Sequence, residues 1–275
     1  MIRHRAAVLG HPIEHSLSPV LHNAGYQAAG LDDWEYTRID TTEDTLAEVV
    51  GTADESFRGF SVTMPGKFAA LTFATEMTDR ARAIGSANTL TRIGGGWRAD
   101  NTDCDGITGA LGELLKSRGG LDGGRAVVVG SGGTARPALW ALRQAGVSQV
   151  TVINRRDRSA ELAPLLEGSS MKAAFVDYSA DLPALTGEAD VLISTVPSAA
   201  LEGHEQRLAH CPILDVIYDP WPTPLTKQAA ANGWPVVGGS VMLAHQSFPQ
   251  FEQFTGVKAP CEEMRRALDD ELARR

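Results

Sequence analysis

Val127-Val-Val-Gly130-Ser131-Gly132-Gly133-Thr134-Ala135 is the stretch that decides how this chain folds. Three apolar β-formers run into Gly130-x-Gly132-x-x-Ala135, and a helical pattern follows over residues 137–145, so the segment reads as strand, tight turn, helix. Glycines at such a turn let backbone N–H groups approach a pyrophosphate at the helix start, where the helix dipole favours an anion. A second strand, residues 150–153, ends in Asn154-Arg155-Arg156, with Arg158 close behind. An NAD-binding unit carries an acidic residue here for the ribose 2′-hydroxyl; arginines suit an adenosine 2′-phosphate, so the expected cofactor is NADP. Tight packing alone is the alternative reading of the glycines.

The 275 residues, 43% of them hydrophobic, are enough for one large or two modest domains with a real core. A net charge of −9 argues against nucleic acid or an anionic membrane as the main partner. No apolar run has transmembrane length and the start of the chain lacks a signal-peptide pattern, so a cytoplasmic protein is expected. Three cysteines in no C-x-x-C pair indicate neither a disulfide framework nor a zinc site. His11, His15 and His22 are close in sequence, but Pro12 and Pro19 interrupt any helix that would align them, and no metal is expected.

Ahead of the glycine turn lies a second set of alternating elements. Strands are predicted over residues 6–10, 35–39 and 59–63, with helices from Ser18, from Thr45 and from about Pro65. Ser18 reads as the N-cap and Pro19 as the first helical residue. Two strands bracket Gly94-Gly95 as a hairpin, and a helix is predicted from Asp105. Beyond Arg158, strands at 172–176, 191–195, 213–216 and 236–237 precede two C-terminal helical segments. The alternation predicts an α/β protein with mostly parallel sheets in both halves.

Four loops carry more than punctuation. His15-Ser16-Leu-Ser18-Pro19 puts two hydroxyls at a helix start, a geometry suited to a carboxylate; capping accounts for Ser18 but not for Ser16. Lys67 falls in the first turn of its helix, where the macrodipole disfavours a cation, so it is either a solvated side chain or one with a purpose. Asp103 and Asp105 open another helix and read equally as caps, and Gly85-Ser-Ala-Asn88-Thr89 reads alone as a turn.

Taken in order, these segments resemble the shikimate dehydrogenase family. The matching pieces are Gly10-His-Pro-Ile-Glu-His-Ser16-Leu-Ser18-Pro-Val-Leu-His22-Asn, Ser61-Val-Thr63-Met-Pro-Gly-Lys67, Gly85-Ser-Ala-Asn88-Thr and Asn101-Thr-Asp103-Cys-Asp-Gly106. The fingerprint from Gly130, then Asn154-Arg155, Asp215-Val-Ile-Tyr218-Asp-Pro-Trp-Pro and Gly239-Ser-Val-Met242-Leu-Ala-His-Gln246 complete the series. The resemblance implies NADPH-dependent reduction of 3-dehydroshikimate to shikimate. It implies an α/β substrate domain over residues 1–104, completed by C-terminal helices at 239–275, and a Rossmann-like NADP domain over 105–238. It further implies that Ser16 and Ser18 bind the substrate carboxylate, and that Thr63, Asn88, Asp103 and Gln246 bind ring hydroxyls. Tyr218 would line the site, and Lys67 paired with Asp103 would be the acid/base. Gly130, Ser131, Gly132, Gly133 and Thr134 would cradle the pyrophosphate and Asn154, Arg155 and Arg158 the 2′-phosphate. Val216, Gly239 and Met242 would lie near the nicotinamide, with packing the alternative for Tyr218 and Met242.

The chain departs from the family pattern at Ser61, where Asn is usual, at Val216, where Met is common, and at Arg158, displaced by one residue. The chemistry needs a proton donor near the ketone oxygen on which charge develops, and the Lys67–Asp103 pair would serve as donor or as orienting clamp. A quinate-using relative, a methylenetetrahydrofolate dehydrogenase and a sensor that binds without turnover are the competing readings. Within the family, Ser18 and the arginines favour the NADP-dependent shikimate type over the quinate-using one. The partner is a small molecule, and the protein is expected to act as a monomer or homodimer.

Overall fold

Ala6, Ala7, Val8 and Leu9 are all buried, the signature of a strand covered on both faces, and they form the centre of β1 (His4–Gly10). The computed structural model describes all residues, 1–275. Two units separate by their internal contacts: Met1–Thr102 with Leu243–Arg275, and Asp103–Met242. In the first, β2 (Trp34–Asp40) and β3 (Phe57–Val62) flank β1 in parallel, reached through α1 (Ser18–Ala28) and α2 (Leu46–Gly51). Then follow α3 (Lys67–Phe73), β4 (Glu76–Met77), α4 (Asp79–Ile84), β5 (Thr89–Ile93) and β6 (Gly96–Asp100), giving the order β2-β1-β3-β5-β6-β4. The sheet is mostly parallel, as expected, with three parallel pairings and with β5 antiparallel to both β3 and β6. The Gly94-Gly95 turn folds the chain straight back, and a hairpin permits only antiparallel pairing. One face of the sheet, with Leu9, Phe60, Val62 and Leu90, packs on Leu46 and Val50 of α2 and Ala70 of α3.

The second unit opens with α5 (Asp103–Leu114), two residues earlier than expected. It continues through β7 (Arg125–Val129), α6 (Ala135–Gln144), β8 (Gln149–Ile153), α7 (Ser159–Leu162), β9 (Lys172–Val176), α8 (Leu182–Gly187) and β10 (Val191–Ser194). The remaining elements are α9 (Glu205–Leu208), β11 (Ile213–Asp215), α10 (Pro224–Ala231) and β12 (Val236–Gly238). All strands pair in parallel, in the order β12-β11-β10-β7-β8-β9. Alternate residues feed opposite faces: Val128, Val150, Val152 and Ile193 meet α5 and α6, while Val127, Val129, Ile153 and Leu192 meet α8 and α10. Strand order reverses between β7 and β10, the point at which open parallel sheets bind ligands beyond their carboxyl ends.

The chain closes with α11 (Gly239–Thr255), which starts in the second unit and ends in the first, and α12 (Cys261–Arg274). Within the first unit α12 lies on α1, with Met264 and Leu268 fully buried. No helix is long and apolar enough to cross a membrane.

Candidate active site

In the first unit the polar side chains gather around the carboxyl ends of β1 and β3. Ser16 is half-buried and Ser18 buried, and their hydroxyls stand 3.3 Å apart. Ser18 is not the cap it was expected to be: Leu17 holds that position, no side chain caps the helix, and Pro19 already lacks one N–H. With the helix uncapped, Ser16 Oγ accepts from Ser18 N–H at 3.4 Å and Ser18 Oγ bonds the Tyr36 phenol, so both hydroxyls stand at the start of α1. The Arg38 guanidinium grips the turn by donating to the Ser16 carbonyl from Nε at 2.9 Å and Nη2 at 2.6 Å.

Thr63 follows β3, its N–H donating to the Leu9 carbonyl, and the chain turns through Gly66 so that Lys67 is the first residue of α3. Lys67 is half-buried and its carbonyl accepts from Ala87 N–H, which ties the start of α3 to the Asn88 loop. Asn88 is 2% exposed. Its Oδ1 accepts from Thr102 N–H at 2.7 Å and Thr89 Oγ1 at 2.8 Å, and its Nδ2 donates to Thr102 Oγ1 at 3.0 Å and to Gln246 Oε1 at 3.4 Å. Asn88 and Gln246 thus meet, although 158 residues separate them.

Behind this corner runs a buried network. Tyr36 Oη donates to Ser61 Oγ at 2.6 Å, Ser61 Oγ to Gln250 Oε1 at 2.9 Å, and Gln250 Nε2 to the Asn88 carbonyl at 3.1 Å and Thr89 Oγ1 at 3.0 Å. Burial raises the Tyr36 phenol's pKa well above its usual value, with Ser61 and Ser18 opposing only in part. His22 stacks on Tyr36 at 4.2 Å, and burial takes its pKa down to about 3, so the ring is neutral. Asn23 secures edge strand β2 by bonding both Tyr36 backbone groups at 2.9 Å. Asp100, just before the Asn101-Thr-Asp103 run, accepts from Arg80 Nε and Nη2 at 2.6 Å each, from Thr78 at 2.7 Å and from Gln253 at 2.8 Å. Burial works to raise its pKa, but these donors outweigh it and hold the carboxyl below its usual range.

In the second unit Asp103, 2% exposed, is the first residue of α5, with Asp105 in the same first turn, where the dipole favours carboxylates. Gly130 sits at φ +108, and a Cβ there would meet Thr195 Oγ1 at 2.5 Å, so only glycine lets β7 pass β10 into the turn. The space a Cβ would take at Gly132 is open. Thr134 is the N-cap position of α6, and Ala135 is fully buried against the sheet. Beside the turn lies a cavity of about 230 Å³ lined by Ser131, Asn154, Arg155, Arg156 and Arg158. Asn154 Nδ2 donates to the Arg156 carbonyl at 2.8 Å, and Arg158 pairs with Glu161 at 3.0 Å. The open glycine turn and three exposed arginines fit a dinucleotide carrying a 2′-phosphate.

At the far end of the sheet, Val216 and Tyr218 are half-buried on the segment after β11. A Cβ on Gly239 would fall onto the Val216 carbonyl, so that position admits no side chain. Met242, 6% exposed, packs into the core beside Val241, in keeping with the packing alternative. The third and fourth residues of α11 turn inward because the helix needs an apolar face there. Tyr36, Gln250 and Arg38 were not singled out by sequence, and Thr89 and Thr102 appeared there only as members of quoted motifs without a role of their own.

Three family models match the chain: shikimate dehydrogenase substrate binding domain over residues 8–90, shikimate / quinate 5-dehydrogenase over 113–213, and shikimate 5′-dehydrogenase C-terminal domain over 239–268. A shikimate dehydrogenase (NADP(+)) of Anaeromyxobacter dehalogenans is 35% identical over 95% of this chain and 94% of its own length. The chain belongs to the shikimate dehydrogenase family. Among solved structures, the shikimate dehydrogenase of Mycobacterium tuberculosis matches with a TM-score of 0.90 and 47% identity, over 97% of this chain and 99% of that one. The pentafunctional AROM polypeptide of Saccharomyces cerevisiae is 34% identical over 92% of this chain, which spans only 17% of that much longer protein. Like other members of the shikimate dehydrogenase family, this chain combines a substrate-type N-terminal region with a Rossmann-type sheet.

Proposed function

We propose that this protein catalyses the reversible NADPH-dependent reduction of 3-dehydroshikimate to shikimate, a step towards the aromatic amino acids. The observation that carries the reading is the match, over nearly the full length of both chains, to a protein named for that activity. When bound, NADPH supplies the hydride that reduces the ketone. The chain's own residues have to hold the substrate, direct it and supply a proton to the oxygen on which charge develops. In this reading Ser16 and Ser18 donate to the substrate carboxylate from the start of α1, and Thr63, Asn88, Asp103 and Gln246 bond the ring hydroxyls. Tyr218 lines the site, and Val216 and Gly239 stand on the nicotinamide side. Lys67 holds the proton and Asp103 fixes its direction. The glycine turn with Ser131 and Thr134 receives the pyrophosphate, and Asn154, Arg155 and Arg158 the 2′-phosphate, with Arg156 lining the same cavity.

The substrate-domain and cofactor-domain roles follow the same division, with the C-terminal helices serving the substrate side. The enzyme is cytoplasmic and acts as a monomer or homodimer, which sedimentation distinguishes. Mixing the purified protein with shikimate and NADP⁺ tests the activity: the proposal expects absorbance growth at 340 nm with stoichiometric 3-dehydroshikimate. Turnover of quinate alone would redirect the assignment to the quinate-using relatives, and no turnover of either would refute it.

A further inference from the structure

Gln250 lies one turn beyond Gln246 on α11, and at 2% exposure it is sealed from solvent. Its Oε1 accepts from Ser61 Oγ, while Nε2, with two protons, donates to the Asn88 carbonyl and to Thr89 Oγ1. Acceptors on one side and a donor on the other admit a single orientation of this amide. Thr89 Oγ1, accepting from Gln250 Nε2, donates to Asn88 Oδ1 at 2.8 Å. The backbone N–H of Thr102, which can only donate, faces the same oxygen at 2.7 Å. Turning the Asn88 amide over would set its NH₂ against both donors in a buried place, where unpaired polar groups are costly.

The orientation propagates outward. Asn88 Nδ2 is directed at Gln246 Oε1, so the Gln246 amide is turned with Nε2 on the side away from Asn88. At 3.4 Å this Asn88–Gln246 contact is the longest in the chain of bonds, and it is the one a substrate oxygen would displace.

We infer that Gln250 is a positioning residue: acting through Thr89 it fixes the amide of Asn88, and through Asn88 that of Gln246, so that the pair meets an oxygen of the substrate with N–H donors. The inference rests on the reading that Asn88 and Gln246 touch substrate. It assigns a function to the buried path from Tyr36 through Ser61, which holds Gln250 Oε1 from behind.

Gln250→Met keeps length and burial while deleting both donors, and Thr89→Val keeps shape while deleting the relayed hydroxyl. Shikimate and NADP⁺ are titrated separately into each variant, alongside thermal melting. Each substitution should raise the shikimate Kd by about tenfold and leave the NADP⁺ Kd within about twofold. The double variant should bind shikimate no worse than the weaker single by more than about twofold, because both changes break one chain of bonds. A residue of merely structural importance would lower the melting temperature yet leave shikimate affinity intact well below it, and that result overturns the inference. Asn88→Ala and Gln246→Ala separate the two levels. If they leave shikimate affinity unchanged, the substrate-contact reading itself fails; if they weaken it while Gln250→Met and Thr89→Val do not, only the positioning inference fails. Should Gln250→Met not fold, Thr89→Val carries the same test alone.

Discussion

The two units meet the problem of binding in opposite ways. The first buries its polar groups: Ser18, His22, Ser61, Asn88, Thr89, Asn101, Thr102 and Gln250 are all within the core, most of them bonded to one another. The second packs apolar side chains on both faces of its sheet and holds its candidate cofactor groups, the glycine turn and three arginines, at the surface, while Asp103, Ser194, Asp215, Thr223 and Thr226 are buried in it. A small polyhydroxylated ring demands fixed donors and acceptors, which only a saturated, buried network supplies. A phosphate demands charge, which exposed arginines supply without ordering a core. On the proposed function, geometry would dominate binding in the first unit and electrostatics in the second.

The largest effects should come from breaking the chemistry. Lys67→Ala should lower kcat by roughly 10²–10⁴ with a smaller change in the shikimate KM, and Asp103→Asn should lose much of the same energy. A lysine that merely binds would show the reverse split in steady-state kinetics, with KM rising and kcat preserved.

Next comes the anchor of the buried polar side. Asp100→Asn leaves the Arg80 guanidinium facing a neutral amide in a site where the carboxylate is 3% exposed, and should cost about 3 kcal/mol in chemical denaturation. Because the folded-state pKa of Asp100 is depressed, its contribution is complete above the ordinary value of 3.8 and lost only as pH falls below it.

A crossed pair of substitutions sharpens the contrast directly. Ser18→Ala should weaken shikimate binding about tenfold and spare NADP⁺, whereas Arg155→Ala should weaken NADP⁺ about tenfold and spare both shikimate and NAD⁺. Raising salt should weaken NADP⁺ binding far more than shikimate binding, since the arginines are exposed and screened. Calorimetric titrations at two ionic strengths check each of these outcomes.

A pH slope comes last. His22 is neutral when folded, with a pKa of about 3, but titrates near 6.5 when unfolded, so the unfolded state alone takes up its proton between those values. Stability should fall by up to about 1.4 kcal/mol per pH unit below 6.5, and His22→Phe should flatten that slope in urea melts from pH 7 to 4.

Legibility in the sequence followed the same division. The parallel sheet was readable because Val127–Val129 and Val191–Ile193 are short apolar runs bounded by turn residues, and the glycine turn marks its strand. The short helices α7, α8, α9 and α10 went unread, although α2 and α3, six and seven residues long, were expected from their placement between strands. The hairpin announced its own antiparallel pairing but not its attachment to β3. Motif residues such as Ser16 and Lys67 drew attention through odd local placement. Gln250 could not: its partner Ser61 is 189 residues away, and a glutamine in a helix looks like a solvated one until the fold brings β3 beside it.

The most direct test compares kcat/KM for wild-type protein with NADP⁺ and with NAD⁺ at saturating shikimate. Two charge-assisted bonds to the 2′-phosphate predict a preference for NADP⁺ of about a hundredfold. Equal efficiency with the two cofactors, or no shikimate-dependent reduction of either, would contradict the account.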